Sequence, residues 1–354
     1  MQQYTLDKKT IWLNSWIGVK YFNEYLKIFK TVKNRTIINY IPQEHSPALE
    51  YSWYDESRTK AVEDALVSNN NQLVHLLGGF HGSKPELESM ANTKVVYWPT
   101  YWFHHAYHNL SNFDEDCYKI KKDKLYVCLN RRPHLHRAIL MDQLAKQDIL
   151  DKGYVTWHGT KDITDEKFHF CDVPFQYFDG NPITLDGEVF NSNQYNPPDF
   201  FDKGLVNVIA ETSSSMPFIT EKTVTPILRK KPFLVLGCQY FYKSLQSLGF
   251  KLLTDFFDYS FDFEPSTKLR AEMIVENIEK LKGHDLNDLY QQMLPVLEYN
   301  SYVAKKIVMQ KDLWVPKNIL IHLNKKKTVM ERDKVLNNIF NTYVGNKIAD
   351  IIQD

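Results

Sequence analysis

Residues 203–237, KGLVNVIAETSSSMPFITEKTVTPILRKKPFLVLG, alternate between apolar and polar runs. The apolar run at 206–211 predicts a buried strand, and the polar run at 212–217 predicts a loop. The residues after Thr220 predict a helix, and a second apolar run at 233–237 predicts another strand. This order predicts a βαβ unit with two parallel strands, as in α/β proteins.

The start of this predicted helix carries groups that suit an anionic ligand. Thr220 is the predicted N-cap, and the first turn of a helix offers free backbone N–H groups to an anion. Lys222 adds a positive charge where a diphosphate would lie, and Glu221 can accept hydrogen bonds from the hydroxyls of a ribose or a transferred sugar. Thr-Glu-Lys also begins many helices for capping alone. Its position after a strand that ends at Glu211 favours a site, because open α/β sheets bind ligands at the carboxyl ends of strands.

The length of the chain predicts more than one domain, since 354 residues exceed a single comfortable core. We predict an N-terminal α/β domain at 1–118, a Rossmann-like domain at 124–330 and a docking helix at 331–354. Lys+Arg and Asp+Glu are equal at 43 each. This balance disfavours nucleic acid as a partner, because there is no global positive field.

The cysteines and the hydropathy pattern bear on location. Cys117, Cys128, Cys171 and Cys238 have no metal-like spacing and are expected to be reduced thiols. No segment approaches the roughly 18 consecutive apolar residues of a membrane span, and the N-terminus lacks a secretory apolar region. The sequence therefore predicts a soluble, cytoplasmic protein.

Residues 78–82, GGFHG, follow a predicted strand in the first third of the chain. Glycines allow a ligand to approach closely, but neither GxGxxG nor GxxxxGK[ST] is present. We therefore expect neither a dinucleotide site nor a P-loop; a plain turn and one wall of a cleft both stay open.

Two patterns have spacings that occur in metal sites. His104 and His108 are four residues apart but lack an HExxH motif and a third ligand. Asp114 and Asp116 formally match a DxD motif, but no apolar strand precedes them. We predict no metal site, and the charges of residues 112–123 predict a solvated linker.

The second predicted domain opens with a strand at 125–129 that ends at Asn130. A helix is predicted at 136–146, with Arg137 in its first turn. A cation there opposes the helix dipole, which suggests a role such as pairing with phosphate; an ordinary surface arginine is the alternative.

Further elements are predicted towards the C-terminus. A strand is expected at 250–253, and helices at 267–282, 286–297 and 302–310. The aromatic side chains of residues 255–263, DFFDYSFDF, either stack on a nucleobase or pack in the core.

Together, Asn130, Arg137, Glu211 and the FITEK segment at 218–222 resemble the donor-binding half of the family 10 α1,3/4-fucosyltransferases. That family has an asparagine seven residues before an arginine at a helix start, and a Y-[IV]-T-E-K segment ahead of a strand. The resemblance spans residues 125–238. The family's F-E-N-S segment is Ala-Glu-Thr-Ser here, and its tyrosine before the threonine is a phenylalanine.

The resemblance implies a GT-B architecture, in which two Rossmann-like α/β domains face each other across a cleft, with a helical C-terminal segment. It also implies an inverting, metal-independent sugar transfer. Arg137 and Lys222 would neutralise the diphosphate, and Glu221 would bind donor hydroxyls at the reaction centre. Asn130, Glu211 and Thr220 match the rest of the donor site.

An inverting transfer needs a base for the acceptor hydroxyl, and the resemblance implies a carboxylate from the first domain. Glu86 is our candidate, with Glu44 and His81 as alternatives. The first candidate donor is GDP-fucose. The expected acceptor is a glycan, with a lipid-linked sugar or hydroxymethylated DNA as alternatives. A GT-B-like binding protein without catalysis is the competing class.

Overall fold

The computed structural model describes residues 2–5, 10–14, 22–41, 56–77, 90–97, 102–103, 106–107, 117–131, 134–159, 175–189, 197–212 and 218–309. Residues 102–306 form one compact unit, and the other described residues, 2–97 and 307–309, belong to another. Both units are α/β with parallel strands, which confirms the predicted fold class at this level. Several predicted features lie outside the described residues: Glu44, residues 78–82, Glu86, His104, His108, Asp114, Asp116 and the helix at 331–354.

The first unit contains a sheet whose described strands follow one another in chain order. β1 is antiparallel to β2, and β2 to β5 are parallel. Successive right-handed crossovers in one direction place their helices on the same face, and α1 packs against α2. The elements are β1 (Gln2–Thr5), β2 (Thr10–Asn14), α1 (Phe22–Thr31), β3 (Thr36–Ile41), α2 (Glu56–Ser68), β4 (Gln72–Leu77) and β5 (Thr93–Tyr97).

The helices of the first unit cover an apolar layer on this sheet. Tyr25 and Phe29 of α1 meet Leu66 of α2 above Ile37 and Leu73, and all five are buried. The aromatic side chains recur at helical spacing, so one face of α1 supplies most of this core.

A polar pair lies beside this core on the neighbouring strands β3 and β4. Asn39 and His75 are opposite each other in register and are fully buried. The Asn39 Nδ2 group donates to His75 Nδ1 over 3.2 Å. Burial lowers the pKa of His75 to about 4, so its imidazole is neutral at pH 7.

The second unit contains a parallel sheet with the strand order β7-β6-β8-β9. Its strands and main helices are β6 (Lys124–Asn130), α3 (Leu135–Lys146), β7 (Gly153–Trp157), α4 (Phe200–Lys203), β8 (Gly204–Ala210), α5 (Glu221–Leu228) and β9 (Phe233–Leu236). The chain moves from β6 outwards to β7, returns past β6 to β8, and continues to β9. The strand order therefore reverses between β6 and β8, which is the topological switch point of a doubly wound sheet.

Both faces of the second sheet are buried. Phe200 and Phe201 pack on Val127 and Leu129.

On the edge of the sheet, a Cβ at Gly153 would lie 2.4 Å from the Tyr126 ring. Only glycine fits there, because the close approach of the two strands leaves no room for a side chain.

The C-terminal part of the second unit is helical. Its elements are α6 (Phe241–Ser247), α7 (Thr267–Glu279) and α8 (Leu286–Met309). α7 packs against α3. α7 begins at Thr267 as predicted, and the Ser266 hydroxyl caps it by accepting from Leu269 N–H.

Two sequence predictions in this region were wrong. Residues 250–253 do not form a strand, because the Asn300 side chain takes the place of a neighbouring strand: its Oδ1 accepts from Lys251 N–H and its Nδ2 donates to Lys251 O, both over 2.8 Å. The two helices expected at 286–297 and 302–310 are one continuous helix, α8, with Pro295 in its interior.

The charged stretch before β6 also departs from the expectation of a solvated linker. Lys122 is buried, and its ammonium donates to Asp202 O over 2.7 Å and lies 4.4 Å from the centre of the Tyr290 ring. Its aliphatic stem and its charge both have partners, so Lys122 ties this stretch to the second unit.

Candidate anion-binding site

The candidate site lies at the carboxyl edge of the second sheet. β6 ends at Asn130, and β8 is followed directly by Glu211. The helices α3 and α5 start from this edge, so their first turns point free N–H groups towards it. Because β6 and β8 flank the switch point, a ligand at this edge would meet two helix starts at once.

Thr220 begins α5 as the sequence predicted. Its backbone is extended, with φ −115° and ψ −177°, and its hydroxyl accepts from Lys222 N–H over 3.3 Å. The same hydroxyl donates to the Glu211 carboxylate, 2.7 Å from Oε2. Thr220 therefore joins the first turn of α5 to the end of β8.

Glu211 is fully buried, and its carboxylate is surrounded by donors. Oε1 accepts from Thr220 N–H over 3.1 Å and from the Thr223 hydroxyl over 2.8 Å, and Oε2 accepts from Thr212 N–H over 3.0 Å. These are the contacts of a tertiary helix cap rather than of an open ligand group. Burial raises the pKa of Glu211, opposed by the nearby charge of Lys222 and reinforced by that of Glu221.

Glu221 and Lys222 form a buried ion pair at the start of α5. Lys222 Nζ lies 2.8 Å from Glu221 Oε1, and each side chain is 4% exposed. The ammonium also donates to the hydroxyls of Thr212 and Thr220, over 3.1 and 3.4 Å. The second carboxylate oxygen, Glu221 Oε2, is buried and has no hydrogen-bond partner among the described residues.

His136 links the start of α3 to the end of β8 across the switch point. It lies in the first turn of α3, and its Nε2–H donates to Glu211 O over 2.6 Å. Burial, followed by the charge of Arg137, lowers its pKa to about 4. The imidazole is therefore neutral at pH 7, with its proton on the nitrogen that bonds the carbonyl.

The charges of three buried cations act on this imidazole. Arg137, Arg270 and Lys222 all lower the pKa of His136 by their charge. Arg137 comes from the first turn of α3, Lys222 from α5 and Arg270 from α7. Positive charges from three helices therefore all act on His136.

The sequence interpretation missed His136 and Arg270. Arg270 donates to Glu264 O and Pro265 O over 2.6 and 3.0 Å and to the Thr267 hydroxyl over 3.0 Å. A cation near the start of a predicted helix was the signal that singled out Arg137, and the same signal was present at Arg270.

The other predicted site residues are placed differently. Asn130 is buried, and its Nδ2 faces sulfur atoms, 3.1 Å from Cys128 Sγ and 3.8 Å from Met141 Sδ. Its amide thus contacts the interior below α3, while Glu211, Thr220, Glu221 and Lys222 form one hydrogen-bonded group. Glu86 lies outside the described residues.

Comparisons with family models, curated proteins and solved structures found no match to this chain. The geometry of the site therefore carries the functional argument.

Two further properties hold for the part of the chain that the structure describes. None of its helices is long and apolar enough to cross a bilayer. Within the same residues, no three side chains of the metal-ligating types are grouped closely enough to hold an ion.

Proposed function

We propose that the protein is a glycosyltransferase that moves a sugar from a nucleoside-diphosphate donor to an acceptor hydroxyl. The observation that carries the proposal is the position of Arg137 and Lys222, which lie at the starts of the two helices that follow β6 and β8. Both are buried, each lies in the first turn of a helix beside the switch point, and both act on the same imidazole. A diphosphate matches this arrangement, because it takes helix N–H groups and fixed cations together.

Lys222 would bind the diphosphate by exchanging partners. Its ammonium now donates to two threonine hydroxyls as well as to Glu221. A phosphate oxygen is a stronger acceptor for a cation than a neutral hydroxyl. The exchange would leave the Glu221 carboxylate in place, with Oε2 available to accept a donor hydroxyl.

The proposed reaction forms a bond between the acceptor oxygen and the anomeric carbon of the sugar, and breaks the bond from that carbon to the phosphate oxygen. The electron pair of the broken bond leaves with the nucleoside diphosphate. Arg137 and Lys222 would stabilise this developing charge without a metal. The acceptor proton would pass to a base, for which Glu86 is our proposal, with Glu44 and His81 as alternatives.

The remaining site residues are assigned to support this centre. Glu211 and Thr220 would hold the start of α5 in place, since their polar atoms bond to each other and to the backbone. Asn130 would fix the end of β6 from the interior side.

The same proposal includes the donor, the acceptor and the domain architecture. GDP-fucose is the proposed donor and a glycan the proposed acceptor, with the two α/β units as the domains of a GT-B enzyme. Cys128 and Cys238 are free and buried, which agrees with a cytoplasmic location.

The proposal is tested by a thermal-shift panel on the full chain with GDP, UDP, CMP, GDP-fucose, GDP-mannose and UDP-glucose. The panel is run with a chelator and then with manganese. A ligand that binds the folded state raises its melting temperature. We expect a metal-free shift with GDP compounds; a shift with uridine compounds alone would keep the diphosphate site and change the donor. No shift with any compound would favour the non-catalytic class.

The Lys222→Ala variant should bind the donor at least about tenfold more weakly, which corresponds to about 1.4 kcal/mol for a lost charge-assisted contact. Titration calorimetry with GDP measures this change. Lys230→Ala is the matched control, because Lys230 lies just beyond the opposite end of α5 and faces Glu298.

Circular dichroism establishes that both variants fold, and Lys222→Gln provides a longer, uncharged replacement. We expect Lys222→Gln to bind as weakly as Lys222→Ala, and Lys230→Ala to bind like the wild type. Wild-type affinity in both Lys222 variants would refute the phosphate assignment.

A further inference from the structure

An exposed aromatic pair stands at the same edge of the second sheet. Tyr240 is 44% exposed and Phe263 is 59% exposed, and their ring centres are 5.8 Å apart in an edge-to-face arrangement. The other aromatic residues of 255–263 behave differently. Phe257 and Phe261 are buried, and the Tyr259 ring packs 4.8 Å from that of Tyr242.

Hydrogen bonds to two backbone carbonyls hold the aromatic pair in position. Tyr240 N–H donates to Asp262 O over 2.8 Å, and Gln239 Nε2 donates to Phe263 O over 2.6 Å. Tyr240 adopts the left-handed region, with φ +64° and ψ 23°, at the start of α6. Such a conformation is costly for a residue with a side chain and is common at ligand sites.

Asp262 fixes the same junction from inside the unit. Its carboxylate accepts from Tyr242 N–H over 2.9 Å and from Lys243 N–H over 3.1 Å, so it caps the first turn of α6. The two rings are therefore positioned by the protein itself.

The aromatic pair is joined to the edge that carries the proposed diphosphate site through the end of β9. β9 ends at Leu236, whose carbonyl accepts from Glu211 N–H over 3.1 Å. Tyr240 is four residues further along and lies at most about 14 Å from that point. Arg270 donates to Glu264 O over 2.6 Å, and Glu264 directly follows Phe263, so a hydrogen bond links this cation to the backbone beside the aromatic pair.

We propose that the base of the bound nucleoside diphosphate stacks on Tyr240 and Phe263 while its phosphates lie at Arg137 and Lys222. This inference rests on the proposed function and assigns the base subsite within it. An exposed ring offers a π-face to any nucleobase, so the pair supplies affinity for the nucleoside without selecting one base. A solvent-exposed aromatic pair held by backbone bonds, beside a cationic site, suits this occupant.

The experiment compares two ligands by titration calorimetry on the full chain. One is the tightest-binding of GDP, UDP and ADP, and the other is inorganic pyrophosphate, which has no base. The double variant Y240A/F263A should bind the nucleoside diphosphate at least about tenfold more weakly. Its affinity for pyrophosphate should equal that of the wild type. Lys222→Ala should weaken both ligands, because both carry the diphosphate.

Two controls separate stacking from folding. Tyr240→Phe keeps the ring and should keep wild-type affinity. Tyr302→Ala removes an aromatic side chain that is 62% exposed at the far end of the unit, since its neighbour Ser301 bonds to Leu228, the last residue of α5. It should bind both ligands like the wild type.

Unchanged nucleoside diphosphate affinity in Y240A/F263A, with weaker binding in Lys222→Ala, would overturn the base subsite and leave the diphosphate site standing. Equal losses for pyrophosphate and the nucleoside diphosphate in Y240A/F263A would also overturn it, because stacking cannot affect a ligand without a base. A wild-type chain that binds no diphosphate would overturn both proposals.

Discussion

The Glu211→Ala variant should lose about 3 kcal/mol of the free energy of unfolding of the second unit. The carboxylate accepts from the Thr212 and Thr220 amides and from the hydroxyls of Thr220 and Thr223. Removing it leaves these buried donors without an acceptor. It also removes the bond between the end of β8 and the start of α5.

Urea denaturation followed by circular dichroism measures the loss, and hydrogen exchange localises it. The amides of Thr212 and Thr220 should exchange faster in the variant. Glu211→Gln should recover only part of the loss. Its NH2 group would replace one of the two carboxylate oxygens and cannot accept hydrogen bonds from the donors on that side. Glu298→Ala is the matched control: this carboxylate is half-exposed, 3.9 Å from Lys230, and should change stability by less than about 1 kcal/mol.

If Glu211→Ala were as stable as Glu298→Ala, the buried Glu211 carboxylate would contribute no more to the free energy of unfolding than a half-exposed one. In that case the enclosed hydrogen bonds would not hold the start of α5, and its role in positioning the site would have to be abandoned.

The stability of the second unit should fall by about 3 kcal/mol more in the wild type than in His136→Gln when the pH drops from 7.5 to 4. The pKa of His136 is lowered from 6.5 to about 4 by burial and by Arg137. Between pH 6.5 and pH 4 His136 binds a proton in the unfolded chain but not in the folded chain. Its contribution to the free energy of unfolding is therefore complete above pH 6.5 and is lost as the pH falls towards 4.

His136→Gln is the informative variant because its amide can still donate to Glu211 O but cannot titrate. Urea denaturation at several pH values gives the two stability profiles. His75 also has a pKa lowered to about 4, but it lies in the first unit and is common to both proteins, so its effect cancels in the difference. Parallel profiles for the two proteins between pH 6.5 and 4 would contradict the neutral, buried imidazole.

Local sequence patterns predicted most of the second unit correctly. Apolar runs gave β6, β8 and β9, and the Thr220 hydroxyl begins α5 because capping depends on residues two positions apart. The errors came where distant side chains decide the backbone. Residues 250–253 look like a strand, but Asn300, some 50 positions away in sequence, satisfies the backbone of Lys251.

The aromatic stretch at 255–263 shows the same division. Its composition allowed both stacking and packing, and only the tertiary contacts separate Phe257 and Phe261 in the core from Phe263 at the surface. The alternation of aspartates and aromatic residues does not predict which parts of the chain pack on each ring.

The sequence by itself determined the βαβ unit, the helix start at Thr220 and the cations at Arg137 and Lys222, since each depends on residues within a few positions of one another. The tertiary structure decided that β6 lies beside β8, that His136 bonds to Glu211 across the switch point, and that Arg270 joins the same charged group. Strand pairing and buried hydrogen bonds join residues far apart in the chain, and their energy depends on the packing of the whole unit rather than on any local pattern.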